Sequence, residues 1–531
     1  MTEIINPILS GFYPDPTICE ANNKFYIVNS SFAYFPGLPI FESDDLCNWK
    51  QIGNIIANQK QMTFCNDGIS RGLFAPTLRY HNKKFYCICT NVDNGGNFFV
   101  TADKPEGPWS NPIWIKNAQG IDPSLFFDDD GTVWYIGTRP NHNGPVRNGD
   151  WEIWIQKINI KTGELIGESK SIWNGALRNC IWPEGPHIYK INNKYYLLHA
   201  EGGTGPDHAV CIARCNTIDG EWEGKASNPI LTHRHLGKTA GIIYVGHGDL
   251  VYNDKNNTWW MVCLASRPYG KQNARYCNMG RETFLVPVKW EDEWPVVSWE
   301  TGLIEQSYYL DGRINKGKVE KEPLFTDYDN FDEDTLRDYW VSIGVIDSKI
   351  INTTDRKGFL RLYSANNINE LGERSILLRR QTSFSYIAEA SIDFDFRNDN
   401  DRGGLICFQN EFYNYKMQVI RKNSQNFVQL IKNEKNCSEV VIEDKIEDKS
   451  QLSIKLKVIA EKQNIRFYYS LNEKETLLCD NIDGSILSIE KAGGFVGSLI
   501  GVYCESDKKD FFIDVDWFKY NDVSKDWINH G

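Results

Sequence analysis

The chain has 531 residues, 41% of them hydrophobic and 24% charged, which excludes a single small module and a mainly disordered chain. With 70 acidic against 58 basic residues the net charge is −12, and this opposes a polyanionic partner such as nucleic acid. Aromatic residues reach 13%, which suits strands and flat-faced ligands better than a helical bundle.

The N-terminal segment MTEIINPILSGFYPDP has neither the basic start nor the apolar core of a signal peptide, and no apolar run of about 18 residues follows. A cytoplasmic protein that needs no membrane is therefore expected. The 14 cysteines are scattered, with Cys87/Cys89 and Cys211/Cys215 as the close pairs. They read as reduced thiols, and neither pair has the spacing of a structural zinc site.

From residue 16 onward five stretches share one pattern, a Pro or Gly, a small or polar residue and an aliphatic, then a polar turn and an aromatic pair. They are Pro16-Thr-Ile with Phe25-Tyr26, Pro76-Thr-Leu with Phe85-Tyr86, Pro123-Ser-Leu with Trp134-Tyr135, Pro186-His-Ile with Tyr195-Tyr196, and Gly248-Asp-Leu with Trp259-Trp260. Each reads as strand, turn, strand, because Asn, Asp or Gly separates two apolar runs. The starts are 60, 47, 63 and 62 residues apart, room for a four-stranded sheet with decorated loops. Five such sheets predict a five-bladed β-propeller over 1–305. A sandwich with coincidental hairpins is the alternative.

A charged stretch over 306–323 reads as a linker. Beyond it the pattern becomes strict alternation, as in Ile392-Asp-Phe394-Asp-Phe396 and Leu452-Ser-Ile454-Lys-Leu456, which predicts a second, all-β domain over 324–531, a β-sandwich.

In a propeller the innermost strands line the axis, so equivalent residues of the repeats converge. The residues before the shared Pro or Gly are Asp15, Ala75, Asp122, Gly185 and His247, with Glu184 one step before Gly185. A lone Asp before Pro is usually a turn residue bonding its own backbone. Three carboxylates in register point instead to a site, where mutual repulsion makes one carboxyl hold its proton and so supplies an acid beside a base.

Tyr13-Pro-Asp15-Pro, Ile121-Asp122-Pro and Pro183-Glu184-Gly-Pro, in this order, resemble glycoside hydrolase family 43. The resemblance extends over nearly the whole chain, since the intracellular β-xylosidase branch joins a five-bladed propeller to a concanavalin-like jelly roll. It implies inverting, exo-acting hydrolysis of short β-1,4-xylo-oligosaccharides with xylose as product and α-L-arabinofuranosidase side activity. Alternatives are a dedicated arabinofuranosidase and a non-catalytic sugar-binding propeller.

On the family pattern Asp15 resembles the general base, Glu184 the general acid, and Asp122 the carboxylate that tunes and orients the acid. An inverting site holds acid and base about 6.5–9.5 Å apart so that water fits between base and sugar. Arg281 matches an arginine that binds sugar hydroxyls, and His247 a channel histidine that in some members helps hold a calcium ion or water cluster on the axis. No cofactor is otherwise implied. Phe32 and Phe74 resemble the aromatic walls of the sugar pocket, although many xylosidases carry Trp in place of Phe74, a difference that bears on xylose against arabinose. Thr204 resembles a contact to a second sugar, and Phe495 a sandwich-domain aromatic that reaches the mouth of the site. The expected partners are a small oligosaccharide and further copies of the chain in a homo-oligomer, with no nucleic acid.

Overall fold

The computed structural model describes residues 3–64, 68–270, 275–317, 326–344, 346–370 and 372–524. Five four-stranded antiparallel sheets span 17–297. Each opens with one of the repeat hairpins: Thr17–Ala21 with Lys24–Val28, Thr77–His81 with Lys84–Asn91, Ile121–Phe127 with Val133–Pro140, Glu184–Ile191 with Lys194–Glu201, and Ile243–Asn253 with Thr258–Ser266. Three of the turns are two-residue loops with both φ angles positive, Asn22-Asn23, Asn82-Lys83 and Asn192-Asn193. That conformation matches the right-handed twist of a hairpin and favours Asn.

The first strands touch one another in turn, and Ile243–Asn253 returns to Thr17–Ala21, so the sheets close into a propeller. Two positions beyond the register of Asp15 lie Thr17, Thr77, Ser124, His187 and Asp249, all buried. They stitch neighbouring sheets: Thr77 Oγ1 donates to Pro123 O at 2.9 Å, Ser124 Oγ to Pro186 O at 2.6 Å, and Thr17 Oγ1 to Asp249 Oδ2 at 2.6 Å. The stretch read as a linker begins with a strand, Ser307–Tyr309, which pairs with Glu3–Ile5. Residues 318–323 of it lie outside the described residues.

The second domain packs an eight-stranded sheet on a six-stranded one. Alternation explains the pairing, since Ser385–Asp395 and Gln451–Glu461 turn Ile392, Phe394, Leu456 and Val458 to the shared core and charged residues outward. This is the concanavalin-like sandwich expected after the propeller.

The two domains are joined by backbone and by an apolar core. Tyr34–Phe35 pairs with Ser342–Ile343, and Phe12, Phe32 and Tyr34 share one buried cluster with Ile376, Leu378, Val496 and Tyr503. Arg380 Nε donates to Phe12 O at 2.7 Å. Among the described residues no helix is long and apolar enough to cross a membrane, and the thirteen described cysteines are free.

Candidate active site

The first strands begin at one end of the propeller axis, and their leading residues line a cavity closed on one side by the sandwich. All nine residues singled out in the sequence meet there: Asp15, Phe32, Phe74, Asp122, Glu184, Thr204, His247, Arg281 and Phe495. Ala75, Ile121 and His208 complete the lining.

Backbone strain recurs at the repeat register. Asp15, Asp122, Gly185 and His247 take φ of 49°, 51°, 57° and 49°, and Ala75 alone does not share the left-handed conformation. Each such non-glycine residue costs about 1–3 kcal/mol, a cost that is concentrated at functional sites because it aims side chains where a regular strand would not. At position 185 the left-handed conformation favours glycine, and packing adds a second reason. A Cβ there would also lie 2.8 Å from His247 Nδ1, so the imidazole rests on bare backbone beside Glu184.

The three carboxyls occupy different surroundings. Asp15 is buried, accepts from Arg281 Nη1 at 2.7 Å on Oδ1 and from Ser30 Oγ at 2.6 Å on Oδ2. Burial pushes this carboxyl up, but Arg281, then His247 and Ser30, outweigh it and hold it below the usual carboxylate range. Among the described residues no cation bonds Asp122; Gly185 N donates to its Oδ2 at 3.1 Å, and burial followed by the charge of Asp15 outweighs that amide and the more distant Arg281 and pushes it up to about 7. Glu184 is driven well above the ordinary range, first by burial and then by Asp122 and Asp15. Over a window around neutrality Asp15 is ionised while Asp122 and Glu184 together retain a proton. One cavity thus holds a base and an acid at the same pH.

Arg281 ties the parts together. Besides Asp15 it donates from Nη1 to Thr204 Oγ1 at 3.3 Å and from Nη2 to Phe495 O at 3.1 Å, and its guanidinium lies 5.6 Å and 5.8 Å from the ring centres of Phe32 and Phe495. The planar fork of arginine allows these contacts at once. Phe32 stacks on Phe495 at 5.9 Å and 18°, and Phe74 meets the two rings at 5.2 Å and 6.1 Å. Together they form an apolar wall suited to the C–H face of a sugar. Phe495 reaches this place because the domains touch through glycine, with Gly280 Cβ, were it present, 2.9 Å from Gly497 Cα.

His208 went unnoticed in the sequence, since it stands outside the repeat register. Its Nδ1 is 3.0 Å from Tyr244 O, an acceptor that fixes the proton on Nδ1. Nε2 has no protein partner among the described residues, and burial pushes the ring down to about 4. A neutral imidazole therefore offers the cavity an acceptor.

The surroundings of His247 suit a calcium ion poorly. Calcium takes six to eight oxygen ligands, whereas His187 and His208 are the neighbouring imidazoles and two of the nearby carboxylates are engaged by arginines. Asp249 is held by Arg79 at 2.8 Å and 3.0 Å, and Asp15 by Arg281.

Comparison with known proteins identifies the family. Residues 4–295 match Glycosyl hydrolases family 43, and residues 328–521 match the Beta xylosidase C-terminal Concanavalin A-like domain. A xylosidase/arabinosidase of Butyrivibrio fibrisolvens is 43% identical over 98% of this chain and 99% of its own length. A non-reducing end α-L-arabinofuranosidase of Bacteroides ovatus is 33% identical over 97% of this chain and 94% of its own. The crystal structure of a xylan β-1,4-xylosidase from Bacillus halodurans superposes with a TM-score of 0.87 at 29% identity, covering 98% of this chain and 100% of that one. With its propeller, its sandwich and its carboxyl-lined cavity, this chain belongs to glycosyl hydrolase family 43 and is a glycoside hydrolase.

Proposed function

We propose that the enzyme removes xylose from the non-reducing end of short β-1,4-xylo-oligosaccharides by inversion, with α-L-arabinofuranosidase side activity. The observation that carries this reading is the contrast between an arginine-bound, ionised Asp15 and a Glu184 that burial and two neighbouring carboxyls keep protonated. Asp15 takes a proton from water as the water attacks the anomeric carbon. Glu184 gives its proton to the glycosidic oxygen as that bond breaks. Asp122 raises the proton affinity of Glu184 and, through the Gly185 amide, fixes the backbone that bears it.

Exo action is supported by the sandwich, which closes one side of the cavity through Phe495 and leaves a pocket that a terminal sugar fits better than the middle of a polymer. Arg281, Thr204 and His208 offer donors and an acceptor to sugar hydroxyls, and Phe32, Phe74 and Phe495 an apolar face. Arabinosidase side activity is supported by the names of the relatives from Butyrivibrio fibrisolvens and Bacteroides ovatus. The chemistry uses side chains alone and requires no cofactor.

Hydrolysis of paired aryl pentosides tests the proposal. An aryl β-D-xylopyranoside is expected to turn over faster, by kcat/KM, than an aryl α-L-arabinofuranoside, and xylobiose to be cleaved to xylose. Preference for the arabinoside with inert xylobiose would make the enzyme a dedicated arabinofuranosidase.

A further inference from the structure

Behind the wall that carries Glu184, outside the cavity, three metal-binding side chains converge. His199 and Glu201 are two residues apart on Lys194–Glu201 and so leave the strand on one face. Cys211 stands directly opposite His199 on Ala209–Cys215. One ligand atom from each lies within 4.8 Å of the others, and all three residues are buried, none more than 1% exposed. No local spacing of Cys and His marks this set, because its third member arrives by strand pairing.

Their polar atoms are incompletely used. His199 Nδ1 and Glu201 Oε1 have no hydrogen-bond partner among the described residues, a costly state for buried groups. The nearest approach of the pair, His199 Nε2 to Glu201 Oε2, is 3.6 Å, too long for a hydrogen bond. Trp173 Nε1 donates to His199 Nε2 at 3.3 Å, and Ala176 N donates to Glu201 Oε2 at 2.9 Å. A second thiol adjoins the set. Gly175 has bare backbone facing both Cys180 Sγ and Glu201 Oε2, since a Cβ there would lie 1.8 Å and 3.4 Å from them.

We infer that His199, Glu201 and Cys211 form a binding site for one zinc-class divalent cation, with the Cys180 thiol, which donates to Asn174 O at 3.4 Å, beside it. A mixed set of imidazole, carboxylate and thiol excludes calcium and magnesium, which take oxygen, and suits tetrahedral zinc. Binding displaces the Cys211 thiol proton as the sulfur–metal bond forms. The ion has a structural place. Ala176 and Cys180 belong to the segment 174–183 that leads into Glu184, and Gly202 N, next to Glu201, donates to Ile181 O at 2.9 Å. A cation here would fix Glu201, whose Oε2 accepts from Ala176 N of this segment at 2.9 Å.

Cobalt substitution in the full-length protein tests it. Reduced, chelator-treated protein titrated with Co2+ is expected to develop thiolate-to-cobalt charge transfer in the near ultraviolet with tetrahedral d–d bands, saturating at one equivalent, and one equivalent of Zn2+ is expected to abolish both. Cys211→Ser should lose the charge-transfer band or weaken binding at least tenfold, and His199→Gln serves in the same titration if Cys211→Ser fails to fold. His247→Ala, a change in the cavity, should leave the spectrum intact. Wild type without a thiolate band overturns the proposal, as does a spectrum unchanged by both ligand substitutions or one lost with His247→Ala.

Discussion

Replacing Asp122 by Asn isolates the electrostatic part of its proposed role. The amide keeps the shape and an oxygen that accepts from Gly185 N, 3.1 Å away, but removes the charge. In wild type the alkaline limb of the pH–rate profile reports loss of the last proton shared by Asp122 and Glu184, and at that point Asp122 is already ionised, since its own carboxyl is pushed up to about 7. A like charge within about 4–6 Å of a buried carboxyl shifts its pKa by about one to three units, each about 1.4 kcal/mol. A negative neighbour raises the pKa of an acid, so its removal lowers the pKa of Glu184. The alkaline limb of kcat/KM for xylobiose should therefore move down by about one to three units in Asp122→Asn. The acidic limb, set by Asp15 under the hold of Arg281, should stay in place. Initial rates from pH 4 to 10 measure both limbs. An alkaline limb that does not move, with activity merely scaled, would refute the charge argument and leave Asp122 a positioning role.

Glu184→Ala should lose about 10²- to 10⁴-fold in turnover of xylobiose, the usual worth of a general acid, but far less on an aryl xyloside whose phenol leaves unprotonated; equal losses would remove the acid assignment. Asp15→Ala should fail on both substrates, because water must be activated whatever the leaving group, and proton NMR of wild-type product should show α-xylose first, a β-anomer excluding inversion. Phe495→Ala keeps the carbonyl that binds Arg281, so a lower turnover of xylobiose at unchanged thermal midpoint would read the ring alone, and unaltered kinetics would show that the ring does not shape the site. A 1–323 fragment should be insoluble or inactive, since it exposes Phe12, Tyr34 and their neighbours at about 1.5–3 kcal/mol for each large apolar side chain; a soluble fragment of full activity would make the sandwich an accessory.

The hairpins and the carboxylates were legible in the chain because their signals are local. An Asn pair between apolar runs specifies a turn within a few residues, and Pro after Asp15 and Asp122 and in the Glu184 motif marks the same structural position each time. Once the repeats are aligned, convergence of Asp15, Asp122, Gly185 and His247 on one axis follows from the closed ring. Alternation likewise marked the sandwich. Other features depended on contacts between residues far apart in sequence. Position 495 could be tied to the cavity only through the family resemblance, and its ring sits over Phe32 because Gly280 meets Gly497 across the domain boundary. Neither His208 nor the pairing of His199 with Cys211 has a local signal, since a loop places the first and strand register the second. The protonation pattern is also tertiary: Asp15 and Asp122 sit in near-identical Asp-Pro motifs, yet Arg281, more than 150 residues from either, bonds Asp15 and holds it ionised, while Asp122, without such a partner, tends to keep its proton.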